Sequence, residues 1–186
     1  MNATTSDWSA DGKWIVYYVM GQNTGLDLWL LPMTGERKPV PYLQTKFDEQ
    51  DARFSPDGRW MAYDSNESGN SEVYVQAIPA SGAKFQISTG TGINPQWRAD
   101  GKEMYYHTGG TGGGILMAVP VKLGSAFEPG TPQALFQLKG LEDDHSVYSA
   151  SRDGQKFLVN VPAGSEGVAA ASPVTVVLNW FAGLKK

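Results

Sequence analysis

The sequence predicts an all-β fold: a β-propeller of about four blades, each a four-stranded antiparallel sheet, with the last blade incomplete. Three observations predict it. The first is a turn that recurs along the chain. It reads Trp8-Ser9-Ala10-Asp11-Gly12-Lys13-Trp14, then Phe54-Ser55-Pro56-Asp57-Gly58-Arg59-Trp60, then Trp97-Arg98-Ala99-Asp100-Gly101-Lys102-Glu103, and more weakly Ala150-Ser151-Arg152-Asp153-Gly154-Gln155-Lys156. The four Asp residues are 46, 43 and 53 positions apart, and a period of roughly 40–50 residues marks stacked units such as propeller blades. The second is a set of strand-like runs that are apolar at consecutive positions, Trp14 to Val19 and Trp60 to Tyr63 among them. Such strands are buried on both faces, as sheets stacked around an axis require and as a sandwich with one solvated face does not. The third is the lack of helical periodicity in any long segment; only Leu178 to Lys186 could add a short terminal helical turn.

Within each unit the elements follow one order. An extended segment leads into the turn: Thr4 to Trp8, Asp51 to Phe54, Ile93 to Trp97, and Ser146 to Ala150. The Asp-Gly pair supplies the left-handed backbone that a tight hairpin needs. A second strand follows at Trp14 to Val19, Trp60 to Tyr63, Met104 to Tyr106, and Phe157 to Val159. Next come polar, Gly-rich loops, Gly21 to Gly25, Ser65 to Asn70, and Thr108 to Gly114. Third strands are Leu28 to Leu31, Glu72 to Val75, Ile115 to Val119, and Val174 to Leu178. Shorter fourth strands close three units at Lys38 to Leu43, Lys84 to Ile87, and Gln133 to Phe136. The blades therefore span about 3–45, 46–90, 91–139 and 140–181.

The fourth unit lacks a fourth strand, and no room for one exists before Thr4. The expectation is that the chain is the C-terminal part of a larger propeller. Its partners would then include the remaining blades of a parent chain, or a second copy that covers the open blade faces by self-association.

Composition narrows the function classes. The 186 residues are 41% hydrophobic and 18% charged, which suits a packed core and not disorder. A formal net charge of −4 argues against a nucleic-acid surface. No run of about 18 apolar residues is present to span a membrane, and residues 1–7 lack the pattern of a signal peptide. The absence of cysteine removes disulfides, thiolate catalysis and Cys-ligated zinc.

The residues that invite a chemical reading each have a structural one. Asp11, Asp57, Asp100 and Asp153, with Gly12, Gly58, Gly101 and Gly154, could be carboxylate sites, but Asp at a turn bonds backbone amides two residues on, and the four lie one per blade. Gly109 to Gly114 lacks the Gly-Lys-Ser/Thr ending and the helix of a phosphate loop. His107 and His145 lack ligand spacing. Asp48, Glu49 and Asp51, and then Glu142, Asp143 and Asp144, form acidic clusters ahead of two first strands. They are the place to look for a cation or a basic peptide, against the plainer reading of solvated loops. The six tryptophans fall mostly at repeat-equivalent positions and fill the space between blades. No nucleophile elbow, kinase catalytic loop or Asp-Phe-Gly motif occurs, so the chain carries no catalytic residues, metal or cofactor site by sequence.

Phe54-Ser55-Pro56-Asp57-Gly58-Arg59-Trp60-Met61-Ala62-Tyr63, followed by Asn66 to Val75, resembles the TolB-type propeller repeat, which is WD-repeat-like. The resemblance covers essentially the whole chain. Glu72-Val73-Tyr74-Val75-Gln76 and Thr175-Val176-Val177-Leu178-Asn179-Trp180-Phe181 further resemble the C-terminal propellers of bacterial membrane-anchored serine/threonine kinases. That resemblance implies an extracytoplasmic, non-catalytic module that captures a protein or small ligand on the propeller face or channel mouth. Two alternatives stand beside it: a TolB-like periplasmic scaffold, and the accessory propeller of a serine peptidase.

Overall fold

The computed structural model describes residues 3–80, 83–109, 114–138, 148–160 and 174–178. The described residues form strands and no helix. The first sheet runs β1 (Ala3–Trp8), β2 (Trp14–Met20), β3 (Leu26–Pro32) and β4 (Val40–Leu43), in spatial order. The second runs β5 (Glu49–Phe54), β6 (Trp60–Ser65), β7 (Glu72–Ala77) and β8 (Lys84–Gln86). The third is built on β9 (Ile93–Trp97), β10 (Glu103–His107) and β11 (Ile115–Lys122), with β12 (Glu128–Pro129) and β13 (Gln133–Gln137) both paired to β11. The fourth holds β14 (Tyr148–Ala150), β15 (Lys156–Asn160) and β16 (Val174–Leu178). Every pairing is antiparallel, and all but that of β11 with β13 join chain neighbours.

The third sheet differs from the expected four strands because β11 is longer than its sequence pattern suggests. Its first half, Ile115 to Ala118, pairs with β13, while Val121 and Lys122 extend beyond and pair with β12. The short extra strand covers an edge that would otherwise present unpaired amides.

The recurring turn has one geometry at its core. Gly12, Gly58, Gly101 and Gly154 all have φ between 68° and 73°. The glycine alone is left-handed; the Asp before it is not. In three sheets a serine and the Asp lock the loop together. Ser55 Oγ donates to Asp57 Oδ1 at 2.6 Å and accepts from the Trp60 amide at 3.0 Å, and Asp57 Oδ1 accepts from the Arg59 amide at 3.2 Å. Ser9 with Asp11 and Ser151 with Asp153 repeat this set. In the third sheet Arg98 stands in the serine's place, and its Nε donates to Asp100 Oδ1 at 2.7 Å.

The core lies between the sheets. Side chains alternate across a strand, so β6 feeds two interfaces. Met61 and Tyr63 pack against Val16, Leu28 and Leu30 of the first sheet. Trp60 and Ala62 pack against Met104, Tyr106, Val119 and Phe127 of the third. Every residue of β6 is buried, as the apolar run Trp60 to Tyr63 predicts for its first four, and Asp64 and Ser65 are buried with them. Tyr105, Leu116 and Ala118 then meet Tyr148, Phe157 and Val159 of the fourth sheet. Each Val, Leu, Met or Phe among them contributes about 1.5–3 kcal/mol on full burial.

Candidate functional site

The first strand of each sheet is the innermost strand of a propeller blade and faces the central channel. Strands β1, β5 and β9 lie beside one another. Each carries a bulge. Register shifts between Thr5 and Asp7 in β1 and between Gln50 and Arg53 in β5; in β9, two residues, Asn94 and Pro95, face one on β10. Asp51 and Asn94 occupy the same place in the repeat and share a left-handed backbone, with φ of 50° and 55°. A bulge bends its strand and re-aims the following side chains. Here those side chains reach the next sheet.

Asp7 and Gln96, each just before the aromatic that ends its strand, make that connection, while Arg53 at the same place in the second sheet reaches back to the first. Asp7 Oδ2 accepts a hydrogen bond from the Phe54 amide at 2.9 Å. Trp97 Nε1 donates to the Arg53 carbonyl at 3.1 Å. Gln96 Nε2 donates to the Tyr148 carbonyl at 2.7 Å, and Gln96 Oε1 accepts from the Ala150 amide at 3.1 Å. The Arg53 guanidinium reaches back to the carbonyls of Ser6 and Ala52. Burial pushes the Asp7 carboxyl above its usual pKa, opposed by the Phe54 amide and by Arg53.

These side chains line an open cleft of about 430 Å³ at the end of the sheets that bears the Asp-Gly turns. Its walls include Asp7, Arg53, Gln96, Trp97, Ala99 and Arg152. Arg152 is exposed, and its guanidinium makes no hydrogen bond or ion pair among the described residues. Sequence reasoning passed over all five polar and aromatic members of this wall as site residues. The available signal was the polar residue before each aromatic: Asp7-Trp8, Arg53-Phe54 and Gln96-Trp97.

Of the sequence-predicted acidic residues, Asp48, Glu49 and Asp51 lie toward the opposite end and do not share a face. Asp48 is committed to the fold: Oδ1 accepts from the Leu26 amide at 2.9 Å and Oδ2 from Asn66 Nδ2 at 2.8 Å. Glu49 is buried, and burial pushes its carboxyl up to about 7. Asp51 sits in the bulge and raises the pKa of Asp64, a carboxyl already pushed well up by burial between sheets. Glu142, Asp143, Asp144 and His145 lie outside the described residues. His107 is buried at the end of β10, with Nε2 at 3.4 Å from Asn94 Nδ2. Among the described residues no three His, Asp or Glu side chains are grouped to hold a metal ion. No described helix is long and apolar enough to cross a membrane.

No protein-family model matches the chain, and no curated protein matches it in sequence. Solved structures do match in shape. TolB from Acinetobacter baumannii superposes with a TM-score of 0.72 at 17% identity, covering 96% of this chain and 41% of that one. The fold is that of a TolB-type β-propeller. A puromycin-hydrolyzing peptidase of Mycobacterium tuberculosis matches the TolB-type sheets with a TM-score of 0.58 at 19% identity, covering 83% of this chain and 27% of that one. A periplasmic gluconolactonase of Pseudomonas aeruginosa gives 0.52 at 18% identity, covering 82% and 48%. The chain spans less than half the length of each of these three structures.

Proposed function

We propose that the chain is a non-catalytic binding propeller that captures a protein segment or small ligand at the channel mouth. The carrying observation is the cleft itself. It is open, it has Trp97 as an apolar wall, and Arg152 offers an exposed guanidinium, unpaired among the described residues, suited to a carboxylate or phosphate. The stitches from Asp7 and Gln96 hold its walls in place before a ligand arrives, which lowers the cost of binding.

The parent protein we infer is a receptor-like serine/threonine kinase, with this propeller outside the cytoplasm and its remaining blades elsewhere in the parent. The support is the resemblance of Glu72 to Gln76 and Thr175 to Phe181 to such propellers. A TolB-like periplasmic scaffold is the second reading, favoured by the superposition on TolB. Extending the reading frame upstream separates them: a kinase domain and one apolar helix support the first, a signal peptide and a small α/β domain the second.

Binding is tested by selecting displayed peptides on the purified chain and repeating the measurement on Arg152→Glu. Selected peptides should carry acidic residues and lose at least tenfold in affinity for the variant. Peptides that bind both proteins equally would remove the channel mouth from the proposal.

A further inference from the structure

The corner where the first sheet meets the second, at the end away from the Asp-Gly turns, holds two buried carboxylates and too few donors. Asp27 is the second residue of β3 and is 2% exposed; Glu49 begins β5 and is 1% exposed. Leu26 and Asp48, the residues just before them, are hydrogen-bonded to each other at 2.9 Å. The adjacent residues Gln44 and Thr45 reach one carboxylate each: Gln44 Nε2 donates to Asp27 Oδ2 at 3.3 Å, and Thr45 Oγ1 donates to Glu49 Oε1 at 2.5 Å. Thr24 Oγ1 also donates to Asp27 Oδ2, at 2.9 Å. The other two oxygens, Asp27 Oδ1 and Glu49 Oε2, are buried with no hydrogen-bond partner.

The next sheet junction provides an internal comparison. Val19 pairs with Asp27 and Ser65 pairs with Glu72, each seven residues after its turn glycine, so Glu72 stands where Asp27 does. Ser88 takes the place of Thr45, and Gly92 that of Glu49. That junction has one carboxylate, and both its oxygens are satisfied: Oε1 by the Gly90 amide at 2.6 Å, Oε2 by the Ser88 hydroxyl. The first junction adds a second carboxylate but only one more donor, and two of its four carboxylate oxygens are left over.

We propose that this corner binds a hard cation of the calcium class, with Asp27 and Glu49 as its anionic ligands and the Thr45 hydroxyl beside them. Buried acceptors without donors are costly, and a divalent ion supplies both the missing charge and the missing partner. Oxygen-only surroundings without His or Cys suit calcium over zinc. Among the described residues no third carboxylate is grouped with the pair, so neutral oxygens and water complete the shell. Glu67, the other carboxylate acting on Glu49, is held by Lys84 Nζ at 2.5 Å. The bound ion would staple the strand that opens the second sheet to the first.

The test is calorimetric titration of the whole chain with calcium chloride at pH 8, after treatment with a chelator. Saturable binding at one site per chain is expected, with thermal unfolding raised by about 3 °C or more at saturation. Glu49→Gln and Asp27→Asn should each weaken binding at least tenfold, while Asp11→Asn at a turn should leave it unchanged. At pH 6.5 the wild-type chain should release protons as calcium binds, a readout that needs no variant. No saturable heat at pH 8, binding retained by Glu49→Gln, or a corner that responds to protons and not to calcium would each overturn the proposal.

Discussion

Asp7 and Phe54 are joined by one hydrogen bond across the first two sheets, from the Phe54 amide to the Asp7 carboxylate at 2.9 Å. The Ala150 amide and Gln96 repeat it between the third and fourth. Phe54 is buried, so removing the acceptor leaves its amide unsatisfied. Asp7→Ala is expected to lower unfolding free energy by about 1–3 kcal/mol. Asp7→Asn keeps an acceptor and should cost less. Urea unfolding followed by tryptophan fluorescence measures both; equal losses would assign the effect to charge and not to the hydrogen bond.

The turn glycines separate backbone strain from crowding. Gly58 has φ of 70° and open space where a Cβ would stand, so Gly58→Ala should cost only the left-handed penalty, about 1–2 kcal/mol. Gly154 has φ of 68°, but a Cβ there would meet the Tyr105 hydroxyl at 2.2 Å and Arg98 Cδ at 2.6 Å. Gly154→Ala should therefore cost more, because the Tyr105 and Arg98 side chains must also give way. Denaturation midpoints of the two variants decide it, and a Gly58→Ala loss equal to or above that of Gly154→Ala would contradict this account.

Tryptophan burial marks which sheet faces are closed. Trp60 is 6% exposed and packs its ring at 5.5 Å from Phe127 and 6.1 Å from Phe85. Trp60→Ala should cost about 3–5 kcal/mol. Trp8 is 58% exposed, and Trp8→Ala should stay within about 0.5 kcal/mol. A large loss at Trp8 in the isolated chain, rising with protein concentration, would reveal a second copy seated on that side.

The blade pattern was legible because each turn needs a left-handed glycine and the middle strands β6 and β10 are buried on both faces, whereas β15 alternates and left a weaker mark. The bulges at Asp51 and Asn94 left none, since a left-handed Asp or Asn is not distinguishable from any other polar residue in a strand. The wall of the channel mouth was hidden for a related reason. Asp7, Arg53 and Gln96 share a repeat position but not a chemistry, and their common role appears only when the next sheet's amides and carbonyls are beside them. The acidic run misled through adjacency. Residues 48, 49 and 51 are neighbours in sequence, yet a strand start and a bulge send Asp48 to the Leu26 amide and Glu49 into the core.

Glu49 should give the chain a measurable pH dependence. Its carboxyl is raised from 4.5 to about 7, first by burial and then by Asp27 and Glu67, against the Thr45 hydroxyl. The folded state thus holds this proton more tightly than the unfolded state. The resulting stabilisation is fully present below pH 4.5, falls as pH rises through the interval, and is lost above about 7. At the full shift it amounts to roughly 3 kcal/mol. Asp64 and Asp7 are raised as well and tilt the profile the same way, so the informative quantity is a difference. In chelator-treated buffer, Glu49→Gln should be more stable than the wild type at pH 8, and the gap should close toward pH 4.5. Urea midpoints of the two proteins across pH 4.5–8.5 give that difference directly. A gap that stays constant with pH would mean that Glu49 does not titrate in the folded chain.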